Sequence, residues 1–141
     1  MERKEFFESV VKAIRDDETL SGEVAHIDLW NRNIEFIEQE TAWARPAVFV
    51  EIGNIEWKRF KDGKSFRGKG TVSFHVVTDW VADVDDSGWS LSEKLHAVLT
   101  GLKGKQFDNL NLLITQTNHD HAEVIETIDT YEVWWSRTMS N

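Results

Sequence analysis

The chain has 141 residues, 40% hydrophobic and 29% charged, with one proline, no cysteine and a formal net charge of −9. That length suits one domain with its own core, and the composition is that of an ordered globular chain. Disulfides, thiolate nucleophiles and cysteine-bound zinc are excluded, and the acidic balance argues against a surface that binds nucleic acid all over.

The first segment, residues 2–17, reads as an amphipathic helix. Phe6, Phe7, Val10, Val11 and Ile14 fall on one stripe, with charges around the rest. No apolar run approaches the ~20 residues of a membrane span. MERKEFFESVV lacks the apolar centre of a signal peptide, so a cytoplasmic protein is expected. Gly22 marks a turn, and VAHIDLW, 24–30, reads as a short strand. NRNIEFIEQE, 31–40, fits both periods; an extended or irregular segment is the expectation.

PAVFVEIGNIEW, 46–57, is the clearest strand. Val48, Val50 and Ile52 share a face, and the phase slips to Ile55 and Trp57 after Gly53-Asn54, as at a β-bulge. A polar loop is expected over 58–70. GTVSFHVVTDW, 70–80, follows as the partner strand of a hairpin, with Val72, Phe74, Val76 and Trp80 on one face and Ser73, His75 and Asp79 on the other.

Residues 90–102 read as the second helix. Ser90 and Glu93 have capping-box spacing, Leu91, Leu95, Val98, Leu99 and Leu102 form the stripe, and Gly104 is the expected stop. LNLLITQTN, 110–118, and EVIETIDTYEVWW, 123–135, read as two closing strands, with Tyr131, Val133 and Trp135 on one face. The expected class is α+β: a single domain over 1–141, with an antiparallel β-sheet of about four main strands and two amphipathic helices on one face.

Three stretches invite a functional reading. In QTNHDHAEV, 116–124, His119 and His121 flank Asp120. Two histidines are short of the three ligands a held metal needs, and Asn118 and Asp120 are turn formers; Asp120 can close an Asx-turn. DVDDSG, 83–88, matches the start of a calcium loop, but its twelfth position holds Lys94 where a glutamate is required. An acidic turn before a helix N-terminus is the better reading.

KRFKDGKSFRGKG, 58–70, is the most unusual stretch. Lys58, Arg59, Lys61, Lys64, Arg67 and Lys69 face one acid, Asp62, whereas the other 128 residues hold 10 bases and 24 acids. Phe60 and Phe66 are interleaved, as where bases stack on aromatics. Contact with a polyanion or with acidic neighbouring subunits is one reading; a solvated hairpin loop is the other. GKSFRGKG lacks P-loop order, there is no nucleophile elbow, and no carboxylate pair is singled out, so catalysis has no positive case. No cofactor is implied.

Seven tryptophans are many for so small a domain. Trp43 lies in ETAWARP, and Trp134 and Trp135 are adjacent, so in a strand they point to opposite faces. These three are candidates for subunit contacts, the alternative being a second packed layer within the monomer.

The helix EFFESVVKAI, the proline-led strand RPAVFVEIGNIEW, the basic stretch, the strand GTVSFHVVTDW, the helix SLSEKLHAVLTGL and the closing EVIETIDTYEVWW together resemble the tail-completion, tail-terminator and minor-tail proteins of tailed bacteriophages and prophages. The resemblance covers nearly the whole chain and rests on element order. It implies a structural protein without catalysis, assembled as a homo-oligomeric ring, commonly a hexamer, at the head-proximal end of the tail. Its partners would be tail-tube and head–tail connector proteins. It would sit in the host bacterial cytoplasm during assembly and in the virion tail afterwards. The hairpin loop projects toward the ring interior in several such proteins, which here would turn residues 58–70 toward passing DNA. Head–tail joining proteins are similar in shape. The residues alone suit equally a small nucleic-acid-associated binding module that uses the basic stretch.

Overall fold

The computed structural model describes residues 1–31, 43–82 and 88–139. The first helix, α1 (Glu2–Asp16), buries Phe6, Val10 and Ile14, spaced one turn apart. The chain turns extended at Asp17, whose carboxylate accepts the backbone N–H groups of Thr19 at 3.0 Å and Leu20 at 2.9 Å. Those bonds lead into a single turn, α2 (Leu20–Glu23), with Thr19 at its N-cap, which buries Leu20; the expected turn at Gly22 is this helical turn.

The first strand, β1 (His26–Leu29), lies parallel to β2 (Ala47–Arg59) through His26↔Ala47 to Leu29↔Val50. β2 pairs antiparallel with β3 (Ser65–Asp79), and the register shifts between Ile52 and Ile55. The bulge therefore falls at Gly53–Asn54, where the change of phase placed it. The remaining elements are α3 (Trp89–Leu99), β4 (Phe107–Asn118) and β5 (Val124–Thr138), and the sheet order is β1-β2-β3-β5-β4.

Mixed α+β architecture matches the expectation. In detail there are five strands and three helices among the described residues, not about four strands and two helices. β1 makes the sheet mixed, since its pairing with β2 is parallel. All three helices pack on one face. Phe6, Val10, Ile14, Leu20, Leu91, Leu95 and Leu99 meet Val48, Val50, Val72, Phe74, Val76, Tyr131, Val133 and Trp135 in one core. Each such large apolar side chain contributes ~1.5–3 kcal/mol by burial. On the opposite face Ala47, Phe49, Val77 and Val124 form a smaller cluster, with Trp30 and Trp43 packed on it.

Three local expectations need correcting. The Ser90–Glu93 capping box does not form: Gly88 is the N-cap, at φ 90°, and Ser90 already lies in the first turn. Glycine belongs there because a Cβ would meet Thr78 Oγ1 at 2.6 Å. The helix ends at Leu99, before Leu102 and Gly104, although Leu102 still packs on the core. Trp80 lies beyond β3 and is 53% exposed, so it does not share the buried face of Val72, Phe74 and Val76. The readings of 31–40 and of the acidic turn fall on residues 32–42 and 83–87, outside the described residues.

Candidate functional site

The basic stretch is not a loop. β2 and β3 continue to pair through Glu56↔Lys69, Trp57↔Gly68, Lys58↔Arg67 and Arg59↔Phe66, leaving only 60–64 as a turn. β5 runs beside β3 as far as Ser65↔Thr138. The result is a ribbon at one end of the sheet. Gly68 leaves room for the neighbouring strand's side chains: a Cβ there would lie 2.7 Å from Ile55 Cγ2 and 2.8 Å from Trp57 Cε3. Trp57 crosses that space, and the Arg137 guanidinium sits 4.7 Å from its ring. Arg137 is in turn bonded to the buried Glu2 carboxylate of α1. That bond holds the Glu2 carboxyl below its ordinary range, against the opposing effect of burial.

The turn is built by Asp62. Its Oδ1 accepts the backbone N–H groups of Lys64 and Ser65, both at 2.8 Å, and its Oδ2 accepts the Ser65 hydroxyl at 2.6 Å. These donors, the Ser65 hydroxyl first, hold its carboxyl below the usual range. Gly63 takes a φ of 73°, which a glycine adopts without strain.

The six basic residues divide by partner. Arg67 donates to Ser136 Oγ at 2.7 Å and to Asp108 Oδ1 at 2.9 Å, and Lys69 pairs with Glu132 at 3.5 Å. Both cations lie over the ring of Trp134, at 5.4 and 5.8 Å from its centroid. Lys58 and Arg59 at the end of β2, and Lys61 and Lys64 in the turn, make no side-chain ion pair or hydrogen bond among the described residues. With Phe60, 49% exposed beside them, these four free cations form the ribbon tip.

The three singled-out tryptophans do not form one surface. Trp135 is fully buried, with Phe6 at 5.3 Å and Phe107 at 6.5 Å, so it is a core residue and is corrected out of the subunit-interface candidates. Trp134 faces the other way, half-buried beneath Arg67 and Lys69. Trp43 is half-buried edge-on against Phe49 at 4.8 Å. The tryptophans most open to solvent are Trp80 and Trp89, at the opposite end of β3 from the ribbon tip. A signal for Trp89 was present: it lies off the Leu91–Leu95 stripe.

The histidine pair is a turn between β4 and β5, as the turn residues suggested, with Asn118 rather than Asp120 closing it. Asn118 Oδ1 accepts the Asp120 N–H at 3.0 Å. His119 is exposed and approaches Trp80 edge-on, at 6.2 Å. Among the described residues no group of three or more histidines and carboxylates could hold a metal ion.

Several buried polar groups, Asp129 and His75 among them, escaped the sequence reading. Asp129 accepts the Thr115 hydroxyl at 2.6 Å and the Ser92 hydroxyl, closing β4, β5 and α3 together. Burial, reinforced by the nearby Asp129 charge, pushes the Tyr131 phenol up from its ordinary value. His75 was assigned to a polar face but is 4% exposed. Its Nδ1 is 2.5 Å from Glu126 Oε2, its Nε2 is 2.7 Å from Glu51 Oε1, and Trp30 stacks on its ring at 3.7 Å.

No protein-family model matches this chain, and no curated protein matches it. A solved chain from the virion of a native gene transfer agent particle is similar over 92% of this chain and 93% of its own, with a TM-score of 0.62 and 13% identity. A second solved chain, which carries no functional description, is similar over 99% of this chain and 95% of its own, with a TM-score of 0.52 and 12% identity. At such identities the likeness shows a shared fold.

Proposed function

We propose that this protein is a non-enzymatic structural subunit of a phage-type virion, a tail-completion or tail-terminator-like protein that forms a ring at the head-proximal end of the tail. The observation that carries the proposal is the shared fold over nearly the full length of a gene transfer agent virion chain. Element order in the sequence supports the narrower role. In this account the ring is a hexamer that contacts tail-tube and head–tail connector proteins, and the ribbon tip, with Lys58, Arg59, Lys61 and Lys64 unpaired among the described residues, is turned to DNA or to an acidic neighbour. Half-buried Trp43 and Trp134 remain candidates for subunit contacts. The protein would assemble in the bacterial cytoplasm and end in the virion tail. Electron microscopy of the purified protein tests this: six-fold rings are expected, and a field of single particles of subunit size, with and without tail tubes, would remove it.

The four free cations and Phe60 at one tip also support a second reading, a binding module for single-stranded or duplex nucleic acid. A labelled oligonucleotide separates the two. Binding by the isolated subunit that weakens steeply with salt favours the module; none at low salt removes it.

A further inference from the structure

His75 stands between two carboxylates. Glu126 is 2% exposed and its other oxygen accepts Asn118 Nδ2 at 2.7 Å, so it is fixed. Glu51, on β2, has a side chain 47% exposed. An ionised carboxylate only accepts, and a neutral imidazole has a single N–H to donate. Two contacts of 2.5 and 2.7 Å from the two ring nitrogens therefore need two protons. Among the described residues neither Glu51 nor Glu126 pairs with a lysine or an arginine. Among the described residues the nearest other charged groups on this face have partners of their own. On β1, His26 lies 3.8 Å from Asp28; at the sheet ends Arg45 pairs with Asp79 and Lys69 with Glu132. Among the described residues the only cation paired with the buried Glu126 is the histidine itself. Trp30 covers the ring face to face, with 4° between the planes, and its backbone N–H donates to Val50 at 2.9 Å. An indole face is the best aromatic partner for a cation.

We propose that His75, Glu51, Glu126 and Trp30 form a proton-dependent latch, in which a charged imidazole ties β2 to β5 across β3 and holds Trp30 down on the sheet. This goes beyond the virion reading and stands whether or not that reading holds. The chemistry fixes the direction. The latch is closed while both ring nitrogens have a proton to share with their carboxylates and opens when, as pH rises, one of them is lost. A neutral ring keeps its N–H on the buried Glu126. Its bare Nε2 then faces the Glu51 carboxylate, the half-exposed side, where water enters and the contact breaks. The ring is then held from one side only, and Trp30 loses its seat on it.

The test is a long-range proton–nitrogen spectrum of the His75 ring in the native protein, followed with the Trp30 indole signal as pH is raised stepwise. The expected result is an imidazolium pattern, both nitrogens protonated, wherever the Trp30 signal carries its ring-stacking shift, and loss of both together. A neutral-tautomer pattern with the stacking shift intact would overturn the proposal. Glu51→Gln is the second arm. Its amide N–H can donate to Nε2, so a neutral ring suffices, and Trp30 should stay stacked across the same pH series. If Trp30 in Glu51→Gln detaches at the same pH as in the native protein, the proposal is wrong.

Discussion

Trp134 and Trp135 are neighbours in sequence and lie on opposite faces of β5: Trp135 is sealed among Phe6 and Phe107, while Trp134 lies half-buried under Arg67 and Lys69. The pleat of a strand dictates this split. It divides their surroundings as well, since only Trp134 reaches the surface.

Trp135→Ala should therefore lower the stability of the subunit by about 3–5 kcal/mol through the cavity it leaves. Trp134→Ala should cost only about 0.5–2 kcal/mol, the scale of a partly exposed cation–π contact. Urea denaturation of both variants checks the ranking. Equal losses would contradict the assignment of faces.

A glycine on the ribbon and one in α2 give a second contrast. At Gly70 an added Cβ would press on the Asn54 carbonyl and lie 3.0 Å from Ile55 Cα, both backbone atoms that cannot swing away. Gly70→Ala should cost about 1–3 kcal/mol. Gly22 has nothing within 4 Å of such a Cβ. There alanine should be neutral or add up to about 1 kcal/mol, because it restricts the unfolded chain. Thermal melts of the two variants decide it.

The Glu2–Arg137–Trp57 stack links α1 to the base of the ribbon. Arg137 depresses the Glu2 carboxyl in the folded state, so the linked stability is present above the ordinary carboxylate range and fades as pH falls through the depressed value. Glu2→Gln should cost about 1–3 kcal/mol at neutral pH, the scale of a charge-assisted hydrogen bond. The gap from the native protein should close in acid. Denaturation midpoints measured at both pH values test this, and a gap that widens in acid would contradict it.

Much of this architecture was legible. The α1 stripe, the bulge at Gly53–Asn54 and the buried Tyr131–Val133–Trp135 face all follow from simple periodicity. The ribbon was misread because its glycines and lysines look like loop composition. Yet Phe66, Gly68 and Gly70 alternate with Arg67, Lys69 and Thr71, and the glycines are there to let Ile55 and Trp57 cross. The His75 cluster was out of reach for a different reason. Its two carboxylates come from positions 24 and 51 residues away, and only strand order brings them to one ring.

The free cations at the tip make the last contrast. Changing Lys58, Arg59, Lys61 and Lys64 together to alanine removes no side-chain partner among the described residues. Each surface change should move stability by no more than about 0.5 kcal/mol. Contact with DNA or with an acidic neighbour should be lost. Filter binding and ring formation, measured on a variant that melts like the native protein, check this; unchanged assembly and unchanged binding would strip the tip of its role.

Light scattering of the purified native protein across a concentration series bears most directly on the ring. The subunit mass is 16.4 kDa, and the expected result is a discrete species of six times that mass, sharpening as concentration rises. A subunit-sized mass at every concentration, unchanged when tail tubes are added, would contradict the ring.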